Sequence, residues 1–164
     1  AHSLPGVDFA DPAAVLSAAN ARFQMDSHGG LYISMWYGVF DVATRALTFG
    51  CAGQHPAFLL TPGQGAPTPL WVKSPAIGMA PDWPYRRAEV VVPPGARLHL
   101  FSDGAFEIQT PDGQQRTIQD FVPLLAQLPV PGLAEPVRLL RAVRGLAGPG
   151  PLDDDVCLLT LAFV

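Results

Sequence analysis

Apolar residues recur at helical spacing in three segments of the chain. The first begins at Asp11, a residue type that caps helix N-termini, and its pattern predicts a helix over residues 11–23. Thr117 can cap a second helix over residues 117–127, and a third helix is predicted over residues 134–146. The hydrophobic pattern therefore predicts three amphipathic helices, one early and two late in the chain.

The segments between the helices are rich in β-branched and aromatic residues, which is typical of strands. The predicted strands cover residues 31–42, 46–52, 57–60, 70–73, 87–92, 97–101 and 156–164. The first two are separated by a turn-like segment and form a predicted β-hairpin. The last is so apolar that we expect a central strand covered on both faces.

Composition excludes several classes of protein. The 164 residues are 49% hydrophobic and 15% charged, so the chain is not disordered as a whole and is long enough to bury a sizeable core. No apolar run approaches the roughly 18 residues of a transmembrane helix and no secretory leader is visible, so we expect a cytoplasmic chain without membrane insertion. The formal net charge of −4 has the wrong sign for binding phosphate backbones, so nucleic acid is not expected as a partner.

Several other kinds of site find no support. Cys51 and Cys157 lie in apolar runs without the spacing of a zinc site, and both are expected to be buried free thiols. His55 lies in a Gly-Gln-His-Pro turn, where a turn-stabilising role is favoured. The chain has neither a Gly-x-Ser-x-Gly elbow nor a glycine-rich phosphate loop, which argues against acyl-transfer hydrolases and nucleotide-binding folds of those types.

Acidic residues follow one predicted strand and precede another. Asp103 comes after the strand over residues 97–101 and before Gly104, and an aspartate triplet at residues 153–155 precedes the last strand. If the two strands are neighbours, these carboxylates converge at one edge of the sheet, where they can hold a divalent cation for metal-assisted hydrolysis. An Asp-Gly turn and a solvated acidic loop explain the same pattern. The spacing alone leaves both interpretations open.

Five motifs occur together in an order and at a spacing that point to one family. They are Tyr37-Gly-Val-Phe-Asp41, Ala52-Gly-Gln-His-Pro56, Ile77-Gly-Met79, Leu98-His-Leu-Phe-Ser-Asp-Gly-Ala-Phe-Glu107 after Pro94-Gly95, and Asp153-Asp-Asp-Val-Cys-Leu-Leu159. The set resembles the SpoIIE-type branch of the metal-dependent (PPM) serine/threonine protein phosphatases over about residues 11–164. Each motif is weak alone, but the ordered set is specific.

The resemblance implies roles for the acidic residues. Asp103 matches the family's metal-binding aspartate on a central strand, and Asp154 matches the aspartate that holds the other side of the metal pair, with Asp155 as the neighbouring candidate. Gly104 lets the backbone pass close to the metals. In such enzymes two Mn²⁺ or Mg²⁺ ions activate a water that attacks the phosphorus of phosphoserine or phosphothreonine directly. Asp103 and Asp154 are therefore the expected catalytic residues, acting through the metals.

The resemblance also implies a fold and its extent. It implies an α+β protein, a layered α/β/β/α sandwich of two mainly antiparallel sheets flanked by helices. The family's first metal-binding strands and its Asp-Val-Ser-Gly-His-Gly-like motif have no counterpart in this sequence. We therefore expect residues 1–164 to be a single, partial phosphatase domain, a carboxyl-terminal part whose amino-terminal strands are missing and which by itself can be inactive.

The function that the resemblance implies is bacterial signalling by dephosphorylation. The expected substrate is a phosphorylated regulatory protein such as an anti-sigma-factor antagonist, and the expected neighbour in the chain is an upstream sensor or receiver domain. The alternative is a non-catalytic module of the same fold, which binds a partner, or a second copy as a homodimer, through the same surface.

Overall fold

The computed structural model describes residues 4–164. Within these residues the helices are α1 (Pro12–Arg22), α2 (Ile118–Leu125) and α3 (Glu135–Ala147). The strands are β1 (Met35–Phe40), β2 (Ala46–Ala52), β3 (Ala57–Leu60), β4 (Thr68–Leu70), β5 (Ala88–Val91), β6 (Arg97–Phe101) and β7 (Leu158–Ala162). Short 3-10 turns lie at Met25–Ser27 and Asp103–Ala105.

The chain forms two compact units, and the first comprises the described residues up to Pro56 together with Leu70–Val92. Its sheet has the order β1-β2-β5 with antiparallel neighbours, and α1 packs against β2. Asp11 caps α1, since its side chain accepts a hydrogen bond from the Ala13 N–H at 3.0 Å. One cluster in the core of this unit brings together buried side chains from α1, from β2 and from the segment before β5, namely Leu16, Ala52, Ile77 and Tyr85.

The second unit comprises Ala57–Pro69 and Pro93–Val164. Its sheet has the order β4-β3-β6-β7, and β6 pairs antiparallel with both β3 and β7. The helix α3 packs against β7 and contacts α2. Aromatic side chains dominate the core, in which the rings of Phe101 and Phe121 lie 4.6 Å apart. All the acidic candidates named above belong to this unit.

The α+β fold class is confirmed, because the described residues form antiparallel sheets together with the three predicted helices. The helices begin and end close to their predicted bounds. Thr117 precedes α2 as expected, and its N–H donates to Asp120 Oδ2 at 2.9 Å, one of the two bonds of a capping box.

None of the helices among the described residues is long and apolar enough to span a bilayer. One partial domain over residues 1–164 stays a prediction.

The predicted β1–β2 hairpin is confirmed, but β1 is shorter than the sequence pattern indicates. The strand starts at Met35, whereas Leu31 and Tyr32 lie before it and are 66% and 58% exposed. Gly29 and Gly30 both have positive φ angles and turn the chain just upstream. After this turn, Ile33 exchanges two backbone hydrogen bonds with Ile77, so the segment before Met35 pairs there and not with β2.

Two other strands also differ from prediction. The strand expected at residues 70–73 is instead β4, which ends at Leu70. The strand expected at residues 156–164 is shorter, and among the described residues it pairs only with β6. Leu159 and Leu161 are 48% and 44% exposed, so the prediction of a strand covered on both faces is wrong. Apolar composition indicates what a strand can bury, but the neighbours in the sheet decide what it does bury.

Candidate metal site

The adjacent ends of β6 and β7 bring the acidic segments together. Because these strands pair antiparallel, the residues that follow β6 lie beside the residues that precede β7. The Ser102 N–H donates to the Cys157 carbonyl oxygen at 3.0 Å, which extends the pairing beyond the strands themselves. The prediction that the two strands are neighbours is thus confirmed, and Asp103 and residues 153–155 lie at the same end of the pair.

Ser102 joins the two segments through its side chain. Its hydroxyl donates to the Asp155 carbonyl oxygen at 2.8 Å and accepts from the Cys157 N–H at 2.9 Å. These bonds satisfy two backbone groups that lie outside the regular strand pairing. Ser102 therefore holds the aspartate triplet against the Asp103 turn. Sequence reasoning assigned no role to this serine, although it is the first residue of the Ser-Asp-Gly motif.

Gly104 lies where the turn comes closest to the aspartate triplet. A Cβ atom at this position would be 2.6 Å from the Asp155 carbonyl oxygen and 3.2 Å from the Asp154 carbonyl carbon. Both neighbours are backbone atoms, so they cannot move aside as a flexible side chain would. The close approach of the two segments therefore requires glycine.

The carboxylates of the site are exposed, and local turns use some of their oxygens. Asp103 Oδ1 accepts from the N–H of the next residue at 3.1 Å, and Asp154 Oδ1 does the same at 2.7 Å. Asp153 instead binds the segment after the Asp103 turn, since its Oδ2 accepts a hydrogen bond from the Gln109 N–H at 3.3 Å. Of the triplet, Asp154 and Asp155 therefore remain the candidates for sharing a ligand with Asp103.

The carboxylate oxygens at this end of the sheet are the type of donor that suits a hard divalent cation. Carboxylate oxygens are the ligands that Mg²⁺ and Mn²⁺ prefer in proteins. Among residues 4–164, no group of three or more His, Cys, Asp or Glu side chains is arranged to hold a metal ion. The roles of Asp103 and Asp154 as metal ligands therefore stay predictions.

A cavity of about 430 Å³ opens beside the Asp103 turn. Phe106 and Glu107 line it, and their N–H groups donate to the Asp103 carbonyl oxygen at 2.9 and 2.8 Å. The rest of the lining comes from residues 115–119, among them the cationic Arg116. No sequence motif marks this cavity, because it forms only when the chain after the turn folds back on itself.

Cys51 and His55 belong to the first unit, whereas Cys157 follows the aspartate triplet in the second unit. Cys51 is buried as predicted, but Cys157 is exposed and the expected buried thiol there is wrong. Because Leu158 packs onto the core, the adjacent Cys157 side chain faces the opposite way. His55 Nδ1 lies 3.0 Å from the Pro56 carbonyl oxygen, a contact within the turn that the sequence predicts.

The family of the chain is decided by a match over nearly its whole length. Residues 3–164 match the family model described as Stage II sporulation protein E (SpoIIE). The chain belongs to the SpoIIE family.

Two curated relatives of this SpoIIE-family chain share part of its sequence. The phosphoserine phosphatase RsbU of Bacillus subtilis is 26% identical over 102 residues, which are 62% of the chain and 30% of RsbU. The protein IcfG of Synechocystis sp. is 28% identical over 98 residues, which are 56% of the chain and 15% of IcfG. The match thus spans less than a third of either relative.

Solved structures share the fold of this SpoIIE-family chain. The SiaA-PP2C domain of Pseudomonas aeruginosa has a TM-score of 0.76 at 24% identity, over 99% of the chain and 65% of that domain. The phosphatase domain of the cell-fate determinant SpoIIE from Bacillus subtilis has a TM-score of 0.61 at 16% identity, over 85% of the chain and 63% of that domain. The α+β fold is therefore that of PP2C-type domains, in agreement with the resemblance of the motifs.

Proposed function

We propose that this chain is part of the catalytic domain of a metal-dependent protein phosphatase that acts on phosphoserine or phosphothreonine. The observation that carries the proposal is the convergence of the Ser102-Asp103-Gly104 turn with Asp154 and Asp155 at the paired ends of β6 and β7. Family membership supports it, as does the phosphoserine phosphatase activity in the name of the relative RsbU.

Asp103 and Asp154 are the residues that we propose hold the metal, with Asp155 as the neighbouring candidate and Gly104 as the position that allows close approach. The ions are Mn²⁺ or Mg²⁺, two of them in the complete domain. A solved SpoIIE phosphatase domain was presoaked with manganese, and a solved RsbX structure contains magnesium. When bound, such ions supply Lewis acidity, which makes water a better nucleophile and neutralises charge on the phosphoryl oxygens.

The residues around the aspartates have supporting tasks in this proposal. Ser102 keeps the two acidic segments in register through its paired hydrogen bonds. The cavity beside the turn, with the aromatic ring of Phe106 and the guanidinium of Arg116 in its lining, gives room for the segment that carries the phosphorylated residue. Arg116 can pair with an acidic group on that segment.

The proposed substrate is a phosphorylated regulatory protein, such as an anti-sigma-factor antagonist, in the cytoplasm of a bacterium. An upstream sensor or receiver domain would control the reaction. Both proposals follow from the resemblance, and the relative RsbU, of which this chain matches 30%, leaves room for such a domain.

Hydrolysis of a phosphoserine peptide with and without Mn²⁺ tests the proposal. The 164-residue chain is compared with the full-length protein. Mn²⁺-dependent release of phosphate by the longer protein supports a phosphatase, whether or not the chain alone is active. Inactivity of both proteins, with retained binding of a partner or a second copy, would instead support the non-catalytic module.

A further inference from the structure

The first unit contains a second concave site that the proposed function does not use. This cavity has a volume of about 290 Å³ and is lined by Lys73, Ser74, Trp83, Pro84 and Arg86. We refer to it as the Lys73–Arg86 cavity. All of its lining residues belong to the stretch Leu70–Val92 of the first unit. It is therefore built by one continuous part of the chain, which does not include Asp103 or residues 153–155.

Buried contacts hold the two walls of this cavity together. Tyr85 is only 5% exposed, and its hydroxyl donates to the Pro75 carbonyl oxygen at 3.2 Å, which joins one wall to the other. The Gly53 N–H donates to the Ser74 carbonyl oxygen at 3.1 Å. Gly53 has φ +63°, and a Cβ there would be 2.5 Å from the Ala76 Cβ. These contacts fix the backbone next to Lys73 against the rest of the unit, while the Lys73 and Arg86 side chains are exposed to solvent.

The charges of the cavity are unbalanced. The chain has ten basic residues, and most of them make ion pairs or hydrogen bonds with other described residues. Among residues 4–164, the basic side chains without such a partner are Arg22, Lys73, Arg86 and Arg141. Two of these four line the same small cavity, and no acidic residue lines it. Two uncompensated cations in one concave site attract an anion from solution.

The chemistry of the lining selects among anions. Two monovalent cations match the charge of a phosphate monoester, about −1.5 to −2 at neutral pH, better than the single charge of a carboxylate. Arg86 offers the planar fork that binds phosphate oxygens in pairs, and Lys73 adds a point charge. The Trp83 indole, 42% exposed, and Pro84 give an apolar surface for the group that carries the phosphate.

The size of the cavity limits the ligand. Its volume of about 290 Å³ lies just below the range of roughly 300–1,000 Å³ for small-molecule sites. A single phosphorylated side chain or a small phosphate ester fits such a volume, whereas a dinucleotide does not.

From these observations we propose that the Lys73–Arg86 cavity binds a phosphate monoester, with Lys73 and Arg86 as its anion-binding residues and Trp83 against its organic part. The phosphate can come from a phosphorylated side chain of a protein or from a free phosphate ester. Both sources offer the same group to the cavity.

The test is a titration of the ¹⁵N-labelled chain in EDTA, followed by the indole N–H resonance of Trp83. The probes are inorganic phosphate, phenyl phosphate, and a neutral acetylated hexapeptide with one phosphoserine, alongside the same peptide without phosphate. We expect saturable shifts at Trp83 with the phosphorylated probes. The indoles of Trp36 and Trp71, which already donate to the Leu70 and Gln54 carbonyl oxygens, are the internal reference.

Charge variants show whether the cavity itself binds. Lys73→Ala and Arg86→Ala are each expected to weaken binding by about tenfold or more, and the double variant further. Arg22→Ala is the matched control, since it removes an exposed, unpartnered cation from the same unit without touching the cavity. It is expected to leave the affinity unchanged.

Each outcome decides the proposal. Tighter binding of the phosphopeptide than of phenyl phosphate indicates a protein source, and the reverse order indicates a free ester; both support the site. The site is rejected if no probe shifts Trp83, if the unphosphorylated peptide binds equally well, or if Arg22→Ala weakens binding as much as Arg86→Ala. Because the metal is removed, these results do not depend on whether the chain is a phosphatase.

Discussion

At the scale of single residues, the Ser102-Asp103-Gly104 turn shows how three adjacent positions divide one task. The serine hydroxyl binds the backbone of the opposite segment, the aspartate presents its carboxylate to solvent, and the glycine leaves room for the Asp155 carbonyl. Each position has a different physical requirement, so a substitution at Asp103 should affect activity, whereas one at Gly104 should affect stability.

Asp103→Asn should abolish Mn²⁺-dependent hydrolysis in the active form of the protein while leaving the fold intact. The amide keeps an oxygen that can accept from the Gly104 N–H, but it removes the negative charge that a divalent cation needs. Phosphate release and far-UV circular dichroism measure the two effects. Asp153→Asn is the control, since the Asp153 side chain binds the Gln109 N–H. Removing its charge should leave most of the activity. Full activity of Asp103→Asn contradicts the metal assignment.

Gly104→Ala should destabilise the chain by about 1–3 kcal/mol, the usual cost of forcing an extra methyl group into a packed place. The added Cβ would lie 2.6 Å from the Asp155 carbonyl oxygen, so the two segments must separate. Denaturant unfolding measures the loss. Gly65→Ala is the matched control, because a Cβ there meets nothing within 4 Å. Equal stabilities of the two variants would show that the close approach is not rigid.

At the scale of elements, the β6–β7 pair carries a buried polar side chain in the middle of the pairing. His99 is 1% exposed and lies opposite Thr160, whose hydroxyl is 3.1 Å from His99 Nδ1. His99 Nε2 has no hydrogen-bond partner among the described residues. The pKa of His99 is lowered to about 4, chiefly by burial; the charge of Glu135 opposes this lowering, and the charges of Arg97 and Arg138 add to it. The imidazole is therefore neutral in the folded chain at neutral pH.

This burial predicts acid destabilisation between pH 6.5 and pH 4. The unfolded chain takes up a proton on His99 near its ordinary pKa of 6.5, whereas the folded chain does so only near 4, so stability falls as the pH falls through this window. The expected loss is on the order of 3 kcal/mol at pH 4. Urea unfolding across this range measures it in the chain and in His99→Gln. The variant should lose the His99 part of the slope, and an identical slope would refute the prediction.

At the scale of the whole molecule, net charge separates a local anion site from a nucleic-acid surface. The chain carries a formal charge of −4, and its two unpartnered cations at the Lys73–Arg86 cavity do not form an extended stripe. We expect no saturable binding of random-sequence duplex DNA at about 0.15 M salt, since such binding needs several phosphate contacts. Fluorescence anisotropy measures this, and micromolar binding that weakens steeply with salt would contradict it.

Elements of the fold that depend on interactions between residues close in sequence can be predicted, whereas those that depend on distant residues cannot. Helix α1 is predictable because its cap at Asp11 and its apolar stripe are local in sequence. The hairpin of β1 and β2 is predictable for the same reason, although its start at Met35 is not, since the residues before it pair with the distant Ile77. The half-exposed outer face of β7 was not predictable, because Leu159 and Leu161 are equally apolar in a central strand and in an edge strand.

The same distinction applies to the candidate site. Asp103, Gly104 and Asp154 can be identified as candidates from motifs in the sequence alone. The hydroxyl bridge of Ser102, the separate engagement of Asp153 with Gln109 and the cavity lined by Arg116 depend on segments far apart in the chain. No local pattern encodes such contacts, so sequence reasoning did not find them.

The sequence by itself determined the helices, most strands, the α+β class, the family resemblance and the acidic candidates, because capping, periodicity and motifs can be read directly along the chain. Only the tertiary structure decided that the Ser102-Asp103-Gly104 turn packs against the backbone of Asp154 and Asp155, where β7 lies in its sheet, and that Lys73 and Arg86 share one cavity. The physical reason is that strand pairing and side-chain burial are settled between residues distant in sequence.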